Sequence, residues 1–543
     1  MRRQEFDYIV VGAGTAGCIV AGRLREDARR TVLLIEAGGS DRSPLIRMPA
    51  CVPFAYQNRR LGWGYRSGPE PELGGRTIDE KRGRVIGGTS SINAMIANRG
   101  NRRDFDGWAA AGLAAWDYAH CLPYFRRMET FSGGADAWRG GAGPMRITRS
   151  AAAHPLYARF LRGGEQAGHP IAADHNGAEQ EGLHIAQAFI GGGERWTTAR
   201  GYLHEPGPTA NLTIWRRSLV HRIAIDGGRA RGAVVTRGGE TVEAIATREI
   251  VLCAGAFNSP QLLMLSGVGD AAQLRALGIE LRAHRPHVGR NLENHPGVNL
   301  QYATRREDSL VSELGPVGRV ALAGDWMLRR RGLGTSNFFE AGAFLRTRGD
   351  VAFPDMQLEF LPLVRFVRDG RLRAGPGFQF WLDLSRPASR GHVRLRSADP
   401  AAAPVIVFNH LAAATDRSDL IAAIRLTRAL VHQPAWEGIR GAELLPGADA
   451  TTDTDLEHFI RSHLGTSYHP SGTCRMGADA DSVVDPQARV REVDGLRVID
   501  ASIMPRIVTA NLSATVMMMA EKLSDCLLGR PALAAAGAPA AAA

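Results

Sequence analysis

A glycine-rich hexapeptide between two short apolar runs constrains this chain more than any other feature. Tyr8-Ile9-Val10-Val11 reads as a strand, and Gly12-Ala13-Gly14-Thr15-Ala16-Gly17 ends it. A helical stretch follows from Ala16 to about Asp27, and Thr31-Val32-Leu33-Leu34-Ile35-Glu36 reads as a second strand. This is a βαβ unit with GxGxxG at its first turn. Gly12 allows the tight turn, Gly14 lets backbone approach a pyrophosphate, and Gly17 clears the contact between helix and sheet. The helix N-terminus adds free N–H groups and partial positive charge. Glu36 is placed to accept hydrogen bonds from a ribose. The pattern predicts a dinucleotide site formed by Gly12, Ala13, Gly14, Thr15, Ala16, Gly17, Glu36 and Ala37. It does not separate nicotinamide from flavin.

Composition narrows the partners. The chain has 543 residues, 44% hydrophobic and 22% charged, which fits a globular protein with a sizeable core and excludes a disordered or collagen-like one. Its formal charge is +11, but of 66 basic residues only Lys81 and Lys522 are lysines, and the arginines are spread over the whole length. No basic block interleaved with aromatics is present, so nucleic-acid binding is not expected. Electrostatic contact with an anionic membrane surface stays open. No run reaches the ~18 apolar residues of a membrane span. Glu5 and Asp7 interrupt the opening segment, which therefore does not read as an export signal. The six cysteines have no CxxC pair or zinc-type spacing, so reduced thiols in a cytoplasmic protein are expected, with no metal site.

The rest of the chain divides by texture. Gly, Pro and Arg dominate residues 38–90, suggesting extended surface loops. A second βαβ-like segment begins at Ile250-Val251-Leu252-Cys253-Ala254-Gly255, with helix-compatible sequence from Pro260 to Leu265. Between about 300 and 460, strand-like runs at 356–361, 378–384 and 392–396 alternate with turns and a helix at 416–430. That pattern suits a separate, largely antiparallel sheet. A strand at 496–500 and a helix at 513–528 complete the ordered chain, and an Ala-rich tail follows Pro531.

Further motifs carry a resemblance. Gly87-Gly88-Thr89-Ser90-Ser91-Ile92-Asn93-Ala94-Met95 can set backbone and side-chain donors against a ring or phosphate, although by composition it also reads as a polar turn. Together with 12–17, it is joined by 255–269, Val288-Gly-Arg-Asn-Leu-Glu-Asn-His295, Tyr468-His-Pro-Ser-Gly-Thr-Cys-Arg-Met-Gly477, and Asp500-Ala-Ser-Ile-Met-Pro505 with Asn511 beyond it. In order and spacing, from about residue 5 to 525, these resemble the glucose–methanol–choline (GMC) oxidoreductase family, its choline dehydrogenases most of all. The resemblance implies an α/β fold: a discontinuous, Rossmann-like FAD-binding domain (5–155, 200–300, 465–530) and an inserted α+β substrate domain on an antiparallel sheet (156–199, 301–464). Residues 531–543 would be a disordered tail. It further implies Gly88, Thr89, Asn93 and Ala94 against the flavin and its phosphates, Val220 near the adenine, and Asp500 and Ala501 at the flavin side chain. Some relatives attach flavin covalently through a His in this segment. Here that position is Ile92, so non-covalent FAD is expected.

Removing hydride from an alcohol requires a base for the hydroxyl proton and a donor for the developing alkoxide. Histidine suits the first role, with a reference pKa of ~6.5, and an Asn amide suits the second. By resemblance His469 is the base and Asn511 its partner. Glu340, in Glu-Ala-Gly-Ala-Phe344, resembles a carboxylate that faces a quaternary ammonium in choline-oxidising relatives. The implied reaction is FAD-dependent oxidation of a primary alcohol to the aldehyde, choline to betaine aldehyde favoured, with hydride transfer to flavin N5. Alternatives are a dehydrogenase of aliphatic, aromatic or polyether alcohols, an oxygen-using oxidase, or a flavin-binding relative without alcohol chemistry. Expected partners are a small alcohol and a quinone or other electron acceptor. The expected location is cytoplasmic, with room for peripheral contact at the inner membrane face.

Overall fold

Two seven-stranded sheets organise the chain. The computed structural model of the protein describes residues 3–368 and 371–537. In the first sheet the order is Leu212–Trp215, Val32–Ile35, Arg3–Val11, Glu240–Leu252, Arg229–Arg237 and Ser218–Asp226, with Leu496–Val498 also paired to Glu240–Leu252. The strands from Leu212–Trp215 to Glu240–Leu252 run parallel, as does Leu496–Val498, whereas the last two form an antiparallel extension. Val32–Ile35 is buried throughout, as expected of a parallel strand covered on both faces. Glu240–Leu252 can join both parts because it has 13 residues: its first half pairs with Arg229–Arg237 and Ile250 to Leu252 pair with Leu496–Val498. N-terminal, central and C-terminal chain therefore meet in one sheet, the discontinuous arrangement that the motifs implied.

Two helices lock the chain ends together. Thr15–Leu24 packs on Ser513–Leu528, and the buried carboxylate of Glu521 in the second helix accepts from Arg23 (2.8 Å) and Arg127 (2.7 Å). Tyr202 Oη donates to the same carboxylate.

The second sheet is antiparallel, in the order Glu443–Leu445, Pro296–Tyr302, Phe378–Leu384, Met356–Leu361, Ala341–Leu345 and Gly182–Ile185, with Gly465–Thr466 also paired to Pro296–Tyr302. Its side chains alternate by face. Val298, Leu300, Leu358, Phe360, Phe378 and Phe380 join an apolar core with Phe160 and Trp436. The opposite face carries Asn299, Gln301, Gln357, Glu359, Gln379, Trp381 and Asp383. Register puts Trp381 between Asn299 and Glu359, and Asp383 beside Gln357. One face thus builds the core while the other meets the first domain.

Two local expectations change. His392–Arg394 pairs with Val405–Val407 as a separate ribbon rather than joining the large sheet. Residues 531–537, expected to be disordered, run along the Tyr118–Met128 helix: Leu533 N–H donates to Tyr124 Oη (3.0 Å) and Ala536 N–H to the Ala119 carbonyl (2.9 Å). Residues 538–543 of that tail lie outside the described residues.

Candidate active site

A cavity of ≈ 2020 Å³ lies between the two sheets. Its first half is the glycine loop. Gly12 has φ +98°, and a Cβ there would meet Cys253 O at 2.6 Å. At Gly17 a Cβ would lie 1.8 Å from Gly12 O, and at Gly88 (φ +54°) 2.6 Å from Gly14 Cα. Packing therefore requires these three glycines. Gly14 differs, because a Cβ there meets nothing nearer than 3.9 Å. Its bare backbone faces the cavity beside Thr15 and Ala16, at a helix start with no side-chain cap and no acid in its first turn. Such a helix start, with free N–H groups and open backbone, could hold a diphosphate.

Glu36 is buried and accepts from the N–H groups of Ala13 (2.9 Å) and Gly38 (2.7 Å). Burial pushes its carboxyl up to about 7 against those bonds and the pull of Arg84. Glu36 and Ala37 line the cavity, as do Gly88, Thr89, Asn93, Ala94, Val220, Asp500 and Ala501. Asp500 Oδ2 accepts from Gly255 N–H (2.8 Å) and Ser259 Oγ (2.5 Å), which ties the start of the Gly255–Leu265 helix to the C-terminal segment. Ala13 and Gly17 lie behind the wall: the Ala13 N–H goes to Glu36 and its carbonyl to Gly87 N–H (2.7 Å), while Gly17 packs on Gly12. Ile92 is buried at 1% exposure and offers no nucleophile.

The second half centres on His469 and Asn511, which come from different loops and line the same wall. Asn511 Nδ2 lies 3.3 Å from His469 Nε2 and 3.4 Å from Glu359 Oε1. Its Oδ1 accepts from Asn98 Nδ2 (2.8 Å) and Gln357 Nε2 (2.8 Å). Two donors on the oxygen fix the amide, so its N–H end faces the imidazole. His175 Nε2 in turn bonds Asn98 Oδ1 (2.8 Å). On its other side His469 Nδ1 meets His295 Nδ1 at 2.9 Å.

These contacts determine a tautomer. An amide N–H can only donate, so His469 Nε2 accepts and the ring proton sits on Nδ1, pointing at His295. His295 then accepts at Nδ1 and carries its own proton on Nε2, which is buried near the backbone of Ser385 and Val508 without a bond of normal geometry. Burial, then His295 and Arg82, holds His469 well below the usual imidazole range, and burial takes His295 down to about 3. Both rings are neutral near pH 7. The Nε2 lone pair, which carries no proton and meets the Asn511 amide N–H at 3.3 Å, is the proton acceptor of the pair.

The floor of this half is the polar face of the second sheet. Asn299, Gln301, Glu359 and Trp381 line the cavity, and Asp383 behind them accepts from Trp381 Nε1 (2.6 Å) and from Ser467 Oγ. Burial raises both Glu359 and Asp383 above the usual carboxylate range, and Arg365 pulls Glu359 back. Glu340, expected at the substrate, does not reach the cavity wall. It precedes the Ala341–Leu345 strand and accepts from Ser336 Oγ (2.5 Å) and Ala152 N–H (2.7 Å), so its charge is spent on local structure. Its neighbour Phe339 faces the cavity instead. Asn98, His175, His295, Gln357 and Glu359 were not anticipated. Of these, Gln357 and Glu359 left a trace in the polar–apolar alternation of Met356-Gln-Leu-Glu-Phe-Leu361. No metal-binding cluster occurs among the described residues.

Comparison with known proteins agrees with this architecture. Models of the GMC oxidoreductase family match residues 6–297 and 387–520. The chain is 44% identical to an oxygen-dependent choline dehydrogenase of Rhizobium etli, covering 98% of this chain and 97% of that one. It is 43% identical to the corresponding protein of Brucella canis, at the same coverage. Among solved structures, pyridoxine 4-oxidase from Mesorbium loti superposes with a TM-score of 0.88 at 32% identity, over 97% of this chain and 100% of that one. Formate oxidase gives 0.91 at 26% identity, over 97% and 99%.

Proposed function

Because the chain belongs to the GMC oxidoreductase family, we propose that it is an FAD-dependent alcohol dehydrogenase that oxidises choline to betaine aldehyde. The residues present fit FAD. Bare backbone at Gly14, the uncapped helix start and the buried Glu36 suit its diphosphate and ribose, and Thr89, Asn93, Asp500 and Ala501 continue the wall towards His469. With Ile92 inert, the cofactor is held without a covalent bond. When bound, the flavin supplies the acceptor for the hydride that leaves the carbinol carbon.

The chain's own residues prepare the alcohol. His469 Nε2 takes the hydroxyl proton while the Asn511 amide donates to the oxygen as negative charge develops on it. Asn98 and Gln357 keep that amide from turning its oxygen towards the alkoxide, and His295 keeps the proton of His469 on Nδ1. Glu359, beside Trp381 and two positions from Gln357 on the same face of its strand, is the carboxylate placed to face a quaternary ammonium. It takes the role expected of Glu340. The single observation that carries the reading is the convergence of a neutral imidazole and an amide locked donor-end inward.

The apolar outer wall (Leu314, Leu322, Leu361, Leu363) favours a second reading, oxidation of aliphatic or aromatic alcohols on the same machinery. Electrons leave to a quinone or to oxygen, and a quinone-coupled enzyme would work in the cytoplasm in peripheral contact with the membrane. No helix among the described residues is long and apolar enough to cross a membrane. One substrate panel tests these points: quinone-like dye reduction and oxygen uptake with choline, long-chain alcohols, benzyl alcohol and sugars. Choline turnover that collapses in Glu359→Gln through KM supports the proposal. Turnover of aliphatic alcohols with none of choline overturns the substrate.

A further inference from the structure

The mouth of the cavity is apolar on the outside as well as the inside. Most of the exposed large hydrophobic side chains among the described residues fall on three segments around it. The Pro316–Arg329 helix exposes Val317 (84%), Val320 (74%) and Leu328 (85%) and fully buries only Trp326. The hairpin Val364–Arg368/Arg371–Gly375 exposes Val367 (71%) and pairs with no other strand. Phe54, on the short Val52–Gln57 helix, is also exposed. Phe54, Arg319, Leu322, Val367 and Arg373 line the cavity as well, so the three segments form its rim.

The helix is the informative element. Leu322 and Ala323 face the cavity, while Val317, Val320, Ala321, Gly324 and Leu328 follow helical spacing on the solvent side. A helix on a water-facing surface should be polar there, and one that is apolar on both sides is covered by something. Charge identifies the cover. Arg330 pairs with Glu194 (2.8 Å) and Arg329 with Asp325 (3.5 Å), whereas the exposed Arg319 and Arg331, and Arg368 and Arg373 on the hairpin, have no carboxylate partner among the described residues. A second copy meeting this face about a two-fold axis would set these like charges against each other. An anionic bilayer complements them, because arginine stems lie along apolar surface while their heads reach phosphates.

We propose that this rim docks on an anionic phospholipid bilayer, with the outer face of the Pro316–Arg329 helix and the exposed Val367 of the hairpin in the interfacial layer and the cavity mouth turned towards the lipid. The proposal gives the membrane contact of the functional reading a surface and an orientation. It rests on that reading only for the use of the opening, since docking is independent of catalysis. Lipophilic molecules would then reach the apolar outer wall without crossing water.

The test is co-sedimentation of the full-length, FAD-loaded protein with vesicles of phosphatidylcholine alone or with about one third phosphatidylglycerol. Binding is expected to be roughly tenfold stronger to the anionic vesicles and to weaken with salt. Val320→Glu with Leu328→Glu, and separately Val317→Glu, should lower it about tenfold while dye-linked turnover in solution is unchanged. Leu281→Glu, at an exposed site elsewhere, should leave it intact. Wild-type protein remaining in the supernatant with both vesicles would overturn the proposal. So would unchanged sedimentation of both helix variants, or a dimer that the variants dissociate without any vesicle binding. Sedimentation is read without turnover, so failure of the alcohol reading would leave this result standing.

Discussion

At the scale of single residues, the account concerns where one proton sits. In the proposed role His469 acts as a base only while Nε2 carries no proton, and four residues favour that state: Asn511, held by Asn98 and Gln357, on one side and His295 on the other. His469→Ala should lower kcat by ~10³-fold with FAD retained, and Asn511→Ala by ~10²-fold. Asn98→Ala and Gln357→Ala should each cost less, about tenfold in kcat, because they only free the amide to rotate. Steady-state kinetics with a spectrum of bound flavin checks all four. The pH profile follows from the neutral imidazole. Since burial depresses His469, kcat at saturating choline should stay level as pH falls through the ordinary imidazole value of ~6.5 and drop only below it, whereas kcat/KM should fall earlier as Glu359, raised to about 7 by burial, takes up a proton. A limb in kcat centred above ~7 would contradict that. His469 and Asn511 were legible because each sits in a motif of its own. Asn98 was not, being brought to Asn511 across 413 positions by folding alone, and His175 reaches the site only through Asn98.

At the scale of elements, the nucleotide loop was readable because its requirements are local. Turn, helix start and acidic strand end all lie within residues 8–36, and the positive φ of Gly12 follows from the turn itself. Gly88 adds a tertiary condition: its left-handed backbone and the 2.6 Å approach to Gly14 Cα join two loops far apart in sequence. Gly88→Ala should therefore destabilise the protein by about 1–3 kcal/mol and weaken FAD retention, read by thermal melting and by flavin content after gel filtration. Glu340 shows where local likeness fails. A Glu-x-Gly-x-Phe run fixes a sequence neighbourhood but not which face its carboxylate takes, and Ser336 and the Ala152 N–H claim it first. The runs at 356–361 and 378–384 were readable as strands, but only the packed sheet shows that their polar faces, with that of Pro296–Tyr302, form the cavity floor.

At the scale of the whole molecule, the site exists because the chain returns to its own beginning. The C-terminal helix supplies Glu521 to Arg23 and Arg127, and the strand at Leu496–Val498 leads directly to Asp500. Removing the carboxylate leaves two guanidinium groups around a buried site, so Glu521→Gln should lower stability by ~3–5 kcal/mol, seen as a fall in Tm. The discontinuous domain was legible as ordered motifs, while the contact that closes it was not, because Glu521 reads in sequence as one more helical acid. The central claim is that His469 starts the oxidation of an alcohol held against bound FAD. Anaerobic mixing of the yellow protein with choline, followed by flavin absorbance, tests it most directly. The wild type should bleach fully within the time of a turnover, and His469→Ala should keep its colour for ~10³ times longer. Equal bleaching rates in the two proteins, or a colourless wild type that free FAD cannot restore, would contradict the account.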